Sequence, residues 1–179
     1  MGEGVLKADG RTGGRAGGPV AGRDPRRSAL FEDAGLGYRG TSLYFGGMRL
    51  SAIADRVGTP VYVYNAQVIR RQYQRLDAAF GAVPHRVCFA VKANSNLGVL
   101  RVFRDVGAGA DIVSGGEMRR VLAAGFPAGR IVFSGVGKSA AELEDALTAG
   151  VGHIHLESTD ELAKPSAIAE RRGRDGAAG

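Results

Sequence analysis

Arg86-Val87-Cys88-Phe89-Ala90-Val91-Lys92-Ala93-Asn94-Ser95-Asn96 carries a run of strand-forming apolar residues to a single lysine at its polar end. Val87 to Val91 is too short for a core helix and rich in β-branched and aromatic residues, so it reads as a strand buried on both faces. Lys92 then sits where strand gives way to loop. A lysine at the mouth of an apolar strand is a candidate for a depressed pKa, since desolvation penalises the ammonium and leaves neutral amine to attack a carbonyl, the chemistry of a Schiff base. The alternative is a lysine that only solvates a strand end.

Downstream the design repeats without the lysine. Strands centred near Phe89, Ile112, Val132 and Ile154 recur at roughly two dozen residues or slightly less, each followed by a helical segment, the pattern of consecutive βα units in a parallel sheet. Right-handed crossovers place all four strand C-termini on one rim. Ser114-Gly115-Gly116-Glu117, Ser139-Ala140-Ala141-Glu142 and Ser158-Thr159-Asp160-Glu161 all match the capping box that opens a helix. Gly125 and Gly150 stand where the intervening helices should stop. Pro165 falls inside the segment begun at Ser158, where an interior proline costs about 3 kcal/mol, and no further strand is encoded beyond Ile168.

Upstream, Asn65 caps a helix over Ala66 to Phe80, with Ile69, Tyr73, Leu76 and Phe80 on one face and Gly81 at its end. Val61-Tyr62-Val63-Tyr64 is a strand candidate entered through Thr59-Pro60, and residues 41–60 hold a strand interrupted at Gly46-Gly47 and a short helix over Ser51 to Val57. Residues 1–40 form a Gly/Arg-rich segment with no apolar period, which reads as a disordered tail. Residues 61–179 then make one α/β unit.

With 179 residues and 44% hydrophobic content the chain suits a soluble globular fold, but it is short of the about 250 residues of a complete (β/α)₈ barrel. Four βα units leave apolar sheet edges that a finished domain would cover, so a truncated architecture is expected. No apolar run approaches a membrane span and no signal-peptide core is present, which favours a cytoplasmic location. The single Cys88 excludes an intramolecular disulfide and reads as a small buried hydrophobe. Half of the net charge of +6 comes from residues 1–30, six basic residues against three acidic, without interleaved aromatics, so a solvated tail is favoured over a nucleic-acid arm.

Phe89-Ala90-Val91-Lys92-Ala93-Asn94-Ser95-Asn96, Gly109-Ala110-Asp111-Ile112-Val113-Ser114-Gly115-Gly116-Glu117 and Ile131-Val132-Phe133-Ser134-Gly135-Val136-Gly137-Lys138 resemble the first barrel strands of the pyridoxal-phosphate decarboxylases that act on diaminopimelate, ornithine and arginine. The resemblance runs from about Gly58 to Glu161, and the Ser-Gly-Gly-Glu and Phe-Ser-Gly-Val-Gly-Lys versions favour the diaminopimelate branch. It implies a partial (β/α)₈ barrel of about four units and pyridoxal 5'-phosphate as cofactor. It further implies Lys92 as the Schiff-base lysine and a reaction converting meso-diaminopimelate to lysine and carbon dioxide.

By the same resemblance Asp111 matches an aspartate near the lysine and the cofactor ring; a strand-entry residue making backbone contacts is the equal alternative. Glu117 matches a family glutamate near the active site, though the capping box accounts for it. His153 and His155 are read as alternating across the fourth strand, so that one is expected to face the barrel interior, and a hydrogen-bonded core histidine is the favoured account. Glu157 ends that strand on the rim with site and structural roles both open.

The resemblance also implies an amino-acid substrate, a homodimer in the full-length family, and a phosphate loop, ring-stacking histidine and cysteine motif that all lie beyond this sequence. The chain by itself is therefore expected to be inactive. The other reading is a non-catalytic cofactor-binding or interaction fragment that pairs with a full-length subunit or a separately encoded second half.

Overall fold

The computed structural model of the chain describes residues 33–159 and 161–162. It opens with an antiparallel meander of β1 (Leu36–Arg39), β2 (Ser42–Phe45) and β3 (Met48–Arg49), with Leu36 opposite Phe45 and Tyr44 opposite Arg49. Leu36–Arg39 falls inside the segment expected as a tail over residues 1–40, yet it is a paired strand. Most of that segment lies outside the described residues, but Leu36–Arg39 pairs along its whole length, because Gly40 at φ 59° closes a tight turn that sets the register.

Helix α1 (Leu50–Val57) stops at Gly58, whose N–H donates to the Ala54 carbonyl at 2.7 Å. The strand expected at Val61 to Tyr64 does not form. No ladder joins it to another described strand, and Tyr62 is 90% exposed. Strand propensity fixes nothing without a partner to complete the ladder.

Helix α2 (Ala66–Ala79) follows, with Asn65 Oδ1 accepting from the N–H of Gln67 and Val68 at 2.9 and 3.4 Å. Its expected apolar face is only half used. Ile69 and Tyr73 are half-buried, whereas Leu76 and Phe80 stay exposed at 50% and 43%.

The second sheet is parallel, in the order β4 (Cys88–Ala90), β5 (Gly109–Ile112), β6 (Ile131–Phe133) and β7 (His153–Ile154). Helices α3 (Leu97–Asp105), α4 (Gly115–Ala123) and α5 (Ala140–Ala149) connect the strands. This is the repeating βα pattern read from the sequence, and it makes the chain α/β. Thr159, Glu161 and Leu162 are helical; the rest of the segment expected from Ser158, with Pro165, lies outside the described residues.

Helices α3, α4 and α5 supply the side chains that pack on one face of this sheet. Ala110, Ile112, Ile131 and Phe133 are fully buried there with Leu100, Val121 and Ala146, and Ile154 packs against the same cluster. Fully burying side chains such as Phe133, Leu100 and Ile112 stabilises by about 1.5–3 kcal/mol each. The opposite face carries the alternate residues. Strand register aligns Ala90 with Asp111, Asp111 with Val132 and Val132 with His153, so these four form one row across the open face.

Candidate cofactor site at the rim of the open sheet face

Immediately after β4 the chain makes one 3₁₀ turn, Val91–Ala93, in which Val91 is fully buried and Lys92 and Ala93 are exposed. Val91 is the anchor: its side chain enters the core and so turns Lys92 outward, two residues beyond Ala90 at the strand's C-terminal end. The burial on which the sequence argument for Lys92 relied is not supplied by the described residues. The loop behind the lysine is held firmly. Asn94 Oδ1 accepts from the Asn96 N–H at 2.9 Å, Asn96 caps α3, and Arg120 Nε donates to the Ser95 carbonyl at 2.7 Å.

Asp111 occupies the neighbouring strand beside Ala90. It is half-buried, and its Oδ1 atom is fully buried without a hydrogen-bond partner among the described residues. A buried carboxylate oxygen left unpaired costs about 1–3 kcal/mol or more, so this one awaits a donor or a cation. Strand-entry backbone contacts, the alternative account of Asp111, are not seen for that oxygen.

His153 and His155 were expected to diverge, with one inward. They do not: residues two apart share a face, and Ile154 between them packs into the core. Both histidines are exposed on the open face, so neither is a core histidine. His155 extends the ladder through its N–H to the Phe133 carbonyl at 2.9 Å, and its Nδ1 lies 3.3 Å from Ser134 Oγ. Cys88, expected to be a buried hydrophobe, is only half-buried, and desolvation raises its thiol pKa.

The helix starts behave more elaborately than capping boxes. Ser139 and Glu142 form the full reciprocal box. Ser114 Oγ accepts from the Glu117 N–H at 3.2 Å, but Glu117 Oε2 reaches one residue further back, accepting from the Val113 N–H at 2.8 Å. That is a structural employment for Glu117, as the capping argument anticipated. Glu142 Oε1 also accepts from the Gly115 N–H of the preceding unit at 2.8 Å, and these amides lower its carboxyl pKa.

Glu161 does the same one unit later. It accepts from the Lys138 N–H at 3.0 Å, from Lys138 Nζ at 3.3 Å and from the Glu157 N–H at 2.8 Å. The rim amides of these loops are thus committed to carboxylates of the chain itself, which leaves this part of the rim unsuited to cradling a phosphate.

The Lys138–Glu161 and Ser134–His155 contacts were not foreseen. The motifs containing Lys138 and Glu161 were visible, but the pairing joins residues on separate units, and no local spacing announces it. A surface depression of about 580 Å³ lies elsewhere, between the starts of α3 and α4 beside Arg119 and Arg120. It is distinct from the face that carries Lys92 and Asp111, and the polar groups on that face locate the site better than concavity does.

A comparison with protein families matches residues 66–173 to the family described as "Pyridoxal-dependent decarboxylase, pyridoxal binding domain". The chain belongs to that family. The diaminopimelate decarboxylase of Pseudomonas fluorescens is 58% identical over 125 residues, which is 70% of this chain and 30% of that protein. Among solved structures, diaminopimelate decarboxylase from M. jannaschii superposes with a TM-score of 0.76 at 29% identity, covering 80% of this chain and 35% of the other. The Helicobacter pylori enzyme in complex with L-lysine gives 0.67 at 40% identity, covering 69% and 32%.

The chain thus spans about a third of the length of the relatives it matches. These neighbours make the sheet the partial barrel of a pyridoxal-phosphate decarboxylase fold. The residues present suit a pyridoxal aldehyde. An exposed primary amine just past the end of β4 and, on the neighbouring β5, a buried carboxylate oxygen with no partner among the described residues make a pair in which the second could hold a positive charge formed at the first. Among the described residues no helix is long and apolar enough to cross a membrane.

Proposed function

We propose that this chain is the lysine-bearing part of a pyridoxal-phosphate-dependent amino-acid decarboxylase whose reaction takes meso-diaminopimelate to L-lysine and carbon dioxide. The observation that carries the reading is the adjacency of Lys92, exposed at the end of β4, and Asp111, whose buried Oδ1 is unpartnered on β5. Lys92 Nζ would hold the cofactor through its aldehyde carbon, with loss of water, and would carry protons at that position once a substrate amine takes its place. Asp111 Oδ1 would stabilise a positive charge at that nitrogen. When bound, the cofactor supplies the electron sink that accepts the pair left as carbon dioxide departs. The relatives' printed names favour diaminopimelate as the substrate.

Four βα units provide the attachment lysine but not the groups that the family resemblance assigns to the rest of the barrel and to a second subunit. Positioning and electrostatics from those groups supply most of the acceleration in such sites. The isolated chain is therefore expected to attach the cofactor and to release carbon dioxide no faster than free pyridoxal phosphate. A role as one half of an assembled site, paired with a separately encoded second half or a full-length subunit, draws support from the exposed Val61, Tyr62, Leu76 and Val83.

The test is borohydride reduction of the cofactor-loaded chain followed by peptide mapping. A label on Lys92, lost in Lys92→Ala with the fold retained, is the expected result. A label on another lysine sinks the assignment, and carbon dioxide release well above free cofactor would refute the expectation of inactivity.

A further inference from the structure

The open sheet face carries a second row of residues, of which the function above uses only Lys92. Two residues beyond Ala90, Asp111, Val132 and His153 come Lys92, Val113, Ser134 and His155, the layer nearest the rim. The ladder bonds Ser134 N–H to Ile112 carbonyl at 2.8 Å and His155 N–H to Phe133 carbonyl at 2.9 Å hold its last two members in strand register. In barrels of this kind such inward positions are normally filled by branched apolar side chains, and ligands bind at this rim. Here they hold a hydroxyl and an imidazole in mutual contact, Ser134 Oγ to His155 Nδ1 at 3.3 Å.

The pair is also held from behind. Lys138 closes the loop that starts at Ser134 by donating Nζ to the Gly135 carbonyl at 2.5 Å, and both its nitrogens engage Glu161, with side-chain exposures of 1% and 5%. A buried ion pair with every bond made is a stiff support, and stiffness is what a ligand contact needs.

We propose that His155, oriented by Ser134, donates its Nε2–H to the ring oxygen of the pyridoxal cofactor that lies next to the aldehyde carbon joined to Lys92. The inference rests on the functional reading above. When Ser134 gives its O–H to Nδ1, the neutral imidazole must carry its proton on Nε2, which points away from the pair as a single donor. A lone donor suits a singly charged phenolate oxygen. It does not suit the phosphate, which needs several donors, and the rim amides that could supply them are already taken by Glu117, Glu142 and Glu161.

Charge sorting agrees: Asp111 favours the cationic nitrogen near β4 and β5, and Ser134 and His155 favour the anionic oxygen near β6 and β7. Three strand spacings of about 4.8 Å separate β4 from β7 along the sheet.

The test uses the full chain and two probes, pyridoxal 5'-phosphate and its 3-O-methyl ether, which keeps the aldehyde and phosphate but removes the phenolate. Affinity is read from the absorption of the Lys92 adduct, and the His155 ring proton is followed by NMR. His155→Ala should weaken binding of the natural cofactor about tenfold while leaving the ether within about twofold, the loss of one hydrogen bond to a charged group. His155→Gln, which keeps a donor near the Nε2 position, should recover most of the loss, and Ser134→Ala should lose part of it.

The His155 resonance should move with the natural cofactor and stay with the ether. Equal weakening of both probes, or none, overturns the inference while leaving Lys92 attachment intact. Should His155→Ala not fold, equal affinity of the wild-type chain for the two probes overturns it as well. A wild-type chain with no adduct at Lys92 removes the functional reading and this inference together.

Discussion

Glu161 grips Lys138 twice, accepting its backbone N–H at 3.0 Å through one carboxylate oxygen and its ammonium at 3.3 Å through the other. The two residues belong to successive βα units, and both side chains are almost wholly out of water. Taking two charges out of water is costly, and the pair is tolerable only because the Gly135 carbonyl and the Glu157 amide satisfy what the ion pair leaves over. Lys138→Met should therefore destabilise the chain by about 3 kcal/mol or more in denaturant unfolding, since it strands a buried carboxylate. A loss under about 1 kcal/mol would show that the pair is not buried in solution.

The same carboxylate should make the chain acid-sensitive. Hydrogen bonds from the Glu157 amide, and then from Lys138, hold the Glu161 carboxyl pKa below its ordinary value of 4.5. A depressed folded-state pKa means a stabilisation that is complete above the ordinary carboxylate range and lost as pH falls through the folded value. Thermal melts from neutral pH into acid should fall in that window, and Glu161→Gln, already destabilised at neutral pH, should fall less steeply. Parallel curves for the two proteins would refute the assignment.

Removing Glu142 should cost more than removing Ser139. Ser139→Ala loses one helix cap, about 1 kcal/mol. Glu142→Ala gives up its half of that cap and in addition orphans the Gly115 N–H at the start of α4. Native-state hydrogen exchange should show the Gly115 amide deprotected in Glu142→Ala and nearly unchanged in Ser139→Ala.

Asp111→Asn separates stability from cofactor attachment. In the free chain the substitution removes a carboxylate whose buried oxygen has no partner, so the melting temperature should stay level or rise. Adduct formation at Lys92 should weaken, because the positive nitrogen loses its counter-charge. A variant that melts lower and binds the cofactor unchanged would contradict both halves.

Gly109→Ala should be damaging where Gly37→Ala is harmless. A Cβ at position 109 would come within 2.5 Å of Cys88 Sγ and 2.9 Å of the Arg130 carbonyl, where neighbouring strands crowd the backbone. Overpacking of this kind costs about 1–3 kcal/mol. At position 37 nothing lies within 4 Å. Comparing the two melts checks the packing of β5 directly.

Period and punctuation sufficed for the architecture because they act within a few residues. The four parallel strands follow from short apolar runs at near-constant spacing, and the helix starts follow from serine and glutamate three apart, since an N-cap reports only on its own turn. Lys92 was legible for the same reason: a strand that ends in one lysine fixes where that lysine stands. Val61 to Tyr64 and the outer half of α2 misled, because their apolar residues ask for partners that local sequence cannot supply.

Tertiary structure decided the rest. Only strand register sets Asp111 beside Ala90 and puts both histidines on the open face, since a sheet's two faces are told apart by what packs on one of them. Only the docking of one βα unit on the next brings Glu142 to Gly115, Glu161 to Lys138 and His155 to Ser134, contacts spanning 27, 23 and 21 residues. Local periodicity determined which elements form and where the lysine ends up; the chemistry assembled around it depends on contacts between units, which no spacing along the chain encodes.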